Sequence, residues 1–133
     1  MRISRVNHLG VVIDDLAGSI EGFSELLGLP LERIEEYGSE LDIAFLPCGD
    51  TQLELISPRR PDGFTGGYLA EHGPGIQHVA FEVEDLEAAL AELAQRGVKP
   101  VGEAPRAGAG NTIVAFLDPS AFGNVLVELC QPL

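Results

Sequence analysis

Apolar and polar positions alternate along residues 6–13, with Leu9, Val11 and Ile13 on one face and His8, Gly10 and Val12 on the other. A period of two is the mark of a strand. The period then lengthens. Leu16, Ile20, Phe23 and Leu27 fall on one helical stripe. Asp14 or Asp15 is placed to cap its start, Gly28 to stop it in a left-handed turn, and Pro30 follows. Short strands are predicted over about 31–36, Leu41–Pro47 and Thr51–Ser57, the last two joined by the turn Cys48-Gly49-Asp50. The order is β-α-β-β-β.

The same order returns in the second half. His78, Ala80 and Glu82 share one strand face, and Val79, Phe81 and Val83 the other. A helix over about 85–96 presents Leu86, Leu90 and Leu93 and stops at Gly97. Strands follow near Lys99–Gly102, Thr112–Leu117 and Asn124–Cys130. The two halves are an internal repeat. Asn7 to Leu16 lines up with Gln77 to Leu86, each a histidine strand closed by two acids and a leucine. Ile20 then meets Leu90, Phe23 meets Leu93, and Gln52-Leu53-Glu54-Leu55 matches Leu126-Val127-Glu128-Leu129. A Gly- and Pro-rich linker over about 59–75, with one helical turn at Tyr68–His72, separates module one (about 1–58) from module two (about 76–133). The expected fold class is α+β: two tandem βαβββ modules in a single domain, 1–133, whose curved mixed sheets form an open metal-binding cavity.

Composition narrows the chemistry. The chain has 133 residues, 45% hydrophobic and 22% charged, which is enough for one globular core. With 8 Lys+Arg against 21 Asp+Glu the formal net charge is −13. That argues against nucleic acid and against an anionic membrane surface as partners. No apolar run approaches a spanning helix and no signal segment precedes the first strand, so a cytoplasmic protein is expected. Cys48 and Cys130 form no CxxC and read as reduced thiols.

The repeat places polar groups at matched points. Strand parity sets His8 and His78 opposite the helix-packing faces. Glu54 and Glu128 each lie between two aliphatic neighbours. A carboxylate buried alone is costly, so it takes a partner or a metal. Taken singly, a strand histidine is more often a satisfied core or edge residue, and a strand glutamate more often solvated. Two halves making the same costly choice argue for a His₂Glu₂ set of His8, Glu54, His78 and Glu128. Mixed imidazole and carboxylate ligands suit Co²⁺, Ni²⁺, Mn²⁺ or Zn²⁺, and Fe²⁺, better than Ca²⁺. His72, in the linker, has no matched partner and reads as surface.

These segments resemble the vicinal oxygen chelate (glyoxalase/bleomycin resistance/dioxygenase) superfamily, and within it the methylmalonyl-CoA epimerases. The likeness rests on Asn7-His8-Leu9-Gly10, Leu26-Leu27-Gly28, Ala44-Phe45-Leu46-Pro47 and Leu53-Glu54-Leu55 in the first half. In the second it rests on Gly75-Ile76-Gln77-His78, Ala104-Pro105-Arg106-Ala107-Gly108, Phe116-Leu117-Asp118-Pro119 and Gly123-Asn124-Val125-Leu126-Val127-Glu128-Leu129. The resemblance implies a metal on His8, Glu54, His78 and Glu128, an acyl-CoA thioester as substrate, epimerisation by α-proton abstraction, and a homodimer. Glu128 is then both ligand and base. The epimerases usually show a second histidine where this chain has Gln77, and His-Pro-Lys where it has Asp118-Pro119-Ser120. Some carry a second acid on the strand before the first-half ligand. Here the nearby positions are Ile43, which has no acid–base chemistry, and Asp42, which qualifies as a catalytic residue only if its strand face turns inward.

Arg106 and Gln52 are the expected substrate-binding residues. Arg106-Ala107-Gly108-Ala109-Gly110-Asn111 reads either as a flexible lip from which Arg106 reaches an anionic group or as an ordinary glycine turn. Arg59-Arg60 reads either as a contact for a CoA phosphate or as a solvated linker pair. Three other functions remain open on this ligand set: a glyoxalase I-like lactoylglutathione lyase, an Fe²⁺ ring-cleaving dioxygenase, and a non-catalytic binding member of the fold. The fourth protein ligand counts against the dioxygenase, which wants a two-His-one-carboxylate triad.

Overall fold

A computed structural model describes all 133 residues, Met1–Leu133. The chain divides into two compact units, His8–Gln77 and Met1–Asn7 with His78–Leu133. Strand β1 (Ile3–Val12) and strand β5 (Gly75–Val83) each contribute to both, the divisions falling just before His8 and just before His78. No helix is long and apolar enough to cross a membrane.

In the unit His8–Gln77 the order is β1, helix α1 (Leu16–Ile20), β2 (Arg33–Tyr37), β3 (Leu41–Cys48), β4 (Thr51–Pro58) and helix α2 (Gly63–His72). The strands lie in the order β2-β3-β4-β1, antiparallel except for the parallel pair of β4 with β1. Asp15 is the helix cap, its side chain accepting from the Gly18 amide at 3.0 Å. The helix widens into a π-turn over Glu21–Leu26. Two glycines and two serines in Ala17–Leu26 give the regular α-ladder little support. Three of the four stripe residues pack as expected, Leu16, Ile20 and Phe23 covering Val11, Ile13, Ala44, Leu46 and Leu55, but Leu27 is 71% exposed because the π-turn carries it off the packed face. Each fully buried Leu contributes roughly 1.5–3 kcal/mol.

The linker holds more structure than its composition suggests, since α2 runs for 10 residues instead of one turn. Its glycines hide the signal, and one has a steric cause. A Cβ on buried Gly66 would stand 2.2 Å from the Arg60 carbonyl oxygen, so the helix and the preceding loop approach only because it is glycine. Arg59 pairs with Asp42 and Glu36, and Arg60 with Glu40 and Asp62. The pair is thus spent on carboxylates of its own unit, matching the solvated reading and not the CoA-phosphate one.

The other unit repeats the plan with β5, helix α3 (Leu86–Gln95), β6 (Pro100–Gly108), β7 (Thr112–Leu117) and β8 (Val127–Pro132). The order is β5-β8-β7-β6, parallel only between β5 and β8. Asp85 caps α3 through the Ala88 amide at 3.0 Å, the counterpart of Asp15. Leu86, Ala89, Ala115, Leu117, Val127 and Leu129 form the core, with Leu90 and Leu93 against it. Arg5 and Asn7 of β1 donate to Glu82 at 3.0 and 2.9 Å. The βαβββ order expected of an α+β protein thus occurs twice, though the compact units cut across the expected modules, Met1–Asn7 falling with the second half and residues 59–77 with the first.

β6 departs from expectation. It extends to Gly108 with a bulge between Val101 and Arg106, so Arg106 stands in a strand opposite Val114 and not on a flexible lip. Gly102, at φ 70°, supplies the left-handed residue that an irregular strand tolerates. Cys48 is exposed, Cys130 is buried, and both are free thiols.

Candidate metal centre

In the unit His8–Gln77, Leu53 and Leu55 point into the helix-packed core, so strand alternation turns Glu54 to the opposite face. His8 alternates with Leu9 in the same way. In the parallel β1·β4 ladder Glu54 pairs with Gly10, two residues past His8. That offset brings His8 Nδ1 to 3.1 Å from Glu54 Oε2. In the other unit Val127 and Leu129 take the core and Glu128 faces away. Glu128 pairs with Ala80, again two residues past the histidine, and His78 Nε2 lies 3.1 Å from Glu128 Oε2. The sequence repeat is thus a repeat of register.

All four residues are buried, at 5–6% exposure. Sequestering a carboxylate and an imidazole twice over is expensive unless both stay partnered. The nitrogen–oxygen spacing fits a metal. Adjacent ligands about 2.1 Å from a common ion lie about 3.0–3.4 Å apart in octahedral or tetrahedral geometry. Each pair therefore offers one nitrogen and one oxygen already spaced as neighbouring ligands, of a type that suits a borderline divalent cation.

Gln52 shares the Glu54 face of β4 and pairs across the sheet with Pro47 and with His8. Its Oε1 is buried and has no hydrogen-bond partner, a defect that a bound donor would repair. Asp42 lies elsewhere. It shares a strand face with Ala44 and Leu46, the face of β3 opposite Glu54, and pairs with Ser57. Arg59 holds it there, and that contact lowers its carboxyl pKa. The position across from Ile56 on the Glu54 face is Ile43, buried and without acid–base chemistry. The inward turn that a catalytic Asp42 requires does not occur.

Arg106 is half-buried. Arg33, Arg59 and Arg60 each pair with carboxylates, but Arg106 makes no such pair and lies over the ring of Phe116 at 5.4 Å. That ring meets the His78 imidazole at 5.1 Å and 86°. Phe116 is a site neighbour that the strand pattern alone does not single out. The signal was available as a repeated tripeptide, Ala44-Phe45-Leu46 and Ala115-Phe116-Leu117.

Comparison with known proteins agrees with this architecture. Residues 7–116 match the family described as the Glyoxalase/Bleomycin resistance protein/Dioxygenase superfamily. The ethylmalonyl-CoA/methylmalonyl-CoA epimerase of Cereibacter sphaeroides is 30% identical over 132 residues, covering 97% of this chain and 98% of that protein. The mitochondrial methylmalonyl-CoA epimerase of Mus musculus is 30% identical over 134 residues, covering 98% of this chain and 74% of that one. The crystal structure of methylmalonyl-CoA epimerase from Mycobacterium tuberculosis superposes with a TM-score of 0.91 at 32% identity, covering 98% of this chain and 89% of that one. Paired βαβββ modules, a histidine and a glutamate at the same register in each, and a family match spanning most of the residues make this chain a member of the glyoxalase/bleomycin resistance/dioxygenase superfamily, with methylmalonyl-CoA epimerases among its relatives.

Proposed function

We propose that the protein is a metal-dependent epimerase of methylmalonyl-CoA or a closely related acyl-CoA. The observation that carries the proposal is the duplicated His–Glu register, in a chain similar to such epimerases along nearly its whole length. In this reading His8, Glu54, His78 and Glu128 together hold one divalent cation (Co²⁺, Ni²⁺, Mn²⁺ or Zn²⁺). When bound, the cation supplies Lewis-acid stabilisation of the negative charge that develops on the thioester carbonyl oxygen.

The remaining steps belong to side chains. Glu128 takes the α-proton of the acyl group, and a proton returns to the opposite face of the carbon. Gln52 offers its unpaired Oε1 to a donor of the substrate, such as an amide N–H of the CoA arm. Arg106 supplies the one half-buried guanidinium not neutralised by a carboxylate and receives an anionic group of the substrate. A homodimer is part of the same proposal.

The test is incubation of the Co²⁺-loaded protein with one methylmalonyl-CoA epimer in D₂O. Deuterium at the α-carbon together with appearance of the other epimer is the expected result. No exchange with metal bound overturns the proposal, and turnover of a glutathione hemithioacetal instead moves the protein to the lyases of the superfamily.

A further inference from the structure

Each site glutamate has a matched neighbour that the proposed chemistry does not use. Phe45 on β3 is the cross-strand partner of Glu54, and Phe116 on β7 is that of Glu128. Directly opposed residues of an antiparallel pair share a face, so each ring lies beside a carboxylate. An arginine from the next strand stands over each ring. The Arg33 guanidinium is 4.0 Å from the centre of Phe45, and that of Arg106 is 5.4 Å from the centre of Phe116. The strand orders β2-β3-β4 and β6-β7-β8 put each phenylalanine between an arginine and a glutamate.

An arginine two strands from a buried carboxylate is a hazard. The strands are about 10 Å apart, within the combined reach of the two side chains. A bidentate Arg–carboxylate pair would occupy both oxygens that a metal or a proton needs. An aromatic face gives the guanidinium a competing seat.

We infer that Phe45 and Phe116 are positioning residues that hold Arg33 and Arg106 by cation–π contact and screen Glu54 and Glu128 from them. The inference rests on the metal reading. Arg33 also pairs with Glu32 and Glu35, which would restrain it even without the ring. Arg106 has no carboxylate, so Phe116 is the sharper case. Its contact with His78 ties the screen to the ligand pair.

The experiment is titration of the full chain with Co²⁺, read by visible absorption, without substrate. Phe116→Ala is expected to weaken Co²⁺ binding about tenfold or more, the range seen when a group supporting a ligand is lost. Adding Arg106→Gln to Phe116→Ala should restore most of that loss, because the released guanidinium is what takes Glu128. A double variant as weak as Phe116→Ala overturns the inference, since a mere cavity would behave so. Arg106→Gln alone should leave Co²⁺ affinity near the wild-type value. A shift of about tenfold in that variant also overturns the screen, whether or not Phe116→Ala folds. Failure of the wild-type chain to bind Co²⁺ overturns the metal reading, and the screen with it.

Discussion

Arg59 donates two hydrogen bonds to Asp42, from Nη2 at 2.7 Å and from Nε at 3.1 Å. The grip pins the carboxylate to the face of β3 that looks away from Glu54, and it lowers the Asp42 pKa, chiefly through the hydrogen bond. A carboxyl group with a depressed folded-state pKa adds stability above its unfolded pKa, and that stability is lost as pH falls through the folded value. Asp42→Asn should therefore melt below the wild type at neutral pH. The gap should close in acid, beneath the ordinary carboxylate range. Deuterium exchange into substrate should stay at the wild-type level. Thermal melts across pH check the first expectation, and a Tm gap unchanged at low pH would refute it.

Glu128→Gln keeps size and polarity but removes the proposed base and a charged ligand of the proposed metal. Exchange of the α-proton should fall by at least about 100-fold, the usual contribution of a positioned base. Co²⁺ binding should weaken in parallel. Mass spectrometry of the substrate in D₂O measures the first and absorption titration the second. A variant that still exchanges at the wild-type rate would assign the proton transfer to another group.

In the proposed function Gln52 trades stability for recognition. Its Oε1 is buried and unpaired in the free protein, a defect of about 1–3 kcal/mol. Gln52→Met is expected to raise Tm and also raise KM, with less effect on kcat. Tm and KM moving in the same direction is the signature. A Tm that falls would show that the amide is satisfied in solution.

Gly66→Ala tests the close approach of α2 to the loop before it. The added methyl would meet the Arg60 carbonyl oxygen at 2.2 Å. Backbone on one side and a helix on the other leave little room to relax, so a loss of about 1–3 kcal/mol in chemical denaturation is expected. Gly67→Ala, whose Cβ meets nothing within 4 Å, should be close to neutral. The contrast between adjacent glycines separates a steric cause from general helix propensity.

Much of this was legible in the chain because it was written twice. Period-two strands ahead of leucine-striped helices located β1, β5 and α3. Asp14 or Asp15 was the expected cap of the first helix; Asp15 takes that role and Asp85 repeats it, each through the amide three residues on. Parity gave the strand faces of His8, Glu54, His78 and Glu128, and only the repeat singled them out as a set. What the pattern could not carry was register and chain direction across strands. Nothing local says that Phe116 opposes Glu128, or that Asp42 turns toward Arg59. Those follow from pairings between distant segments. Glycine hid a full helix in Gly63–His72, whereas of the two readings of Arg106–Asn111 the ordinary turn holds for Ala109–Gly110 and the lip fails, because β6 continues to Gly108.

That continuation has an evolutionary side. β6 is the outermost strand of its sheet, and its bulge lies between Val101 and Arg106. Removing or adding a single residue there would swap which side chain faces Phe116, because strand orientation inverts with every step. The strands that bear His78 and Glu128 would keep their pairing. Descendants could thus retune the surroundings of Phe116 by small insertions and deletions, while His78 and Glu128 stay put.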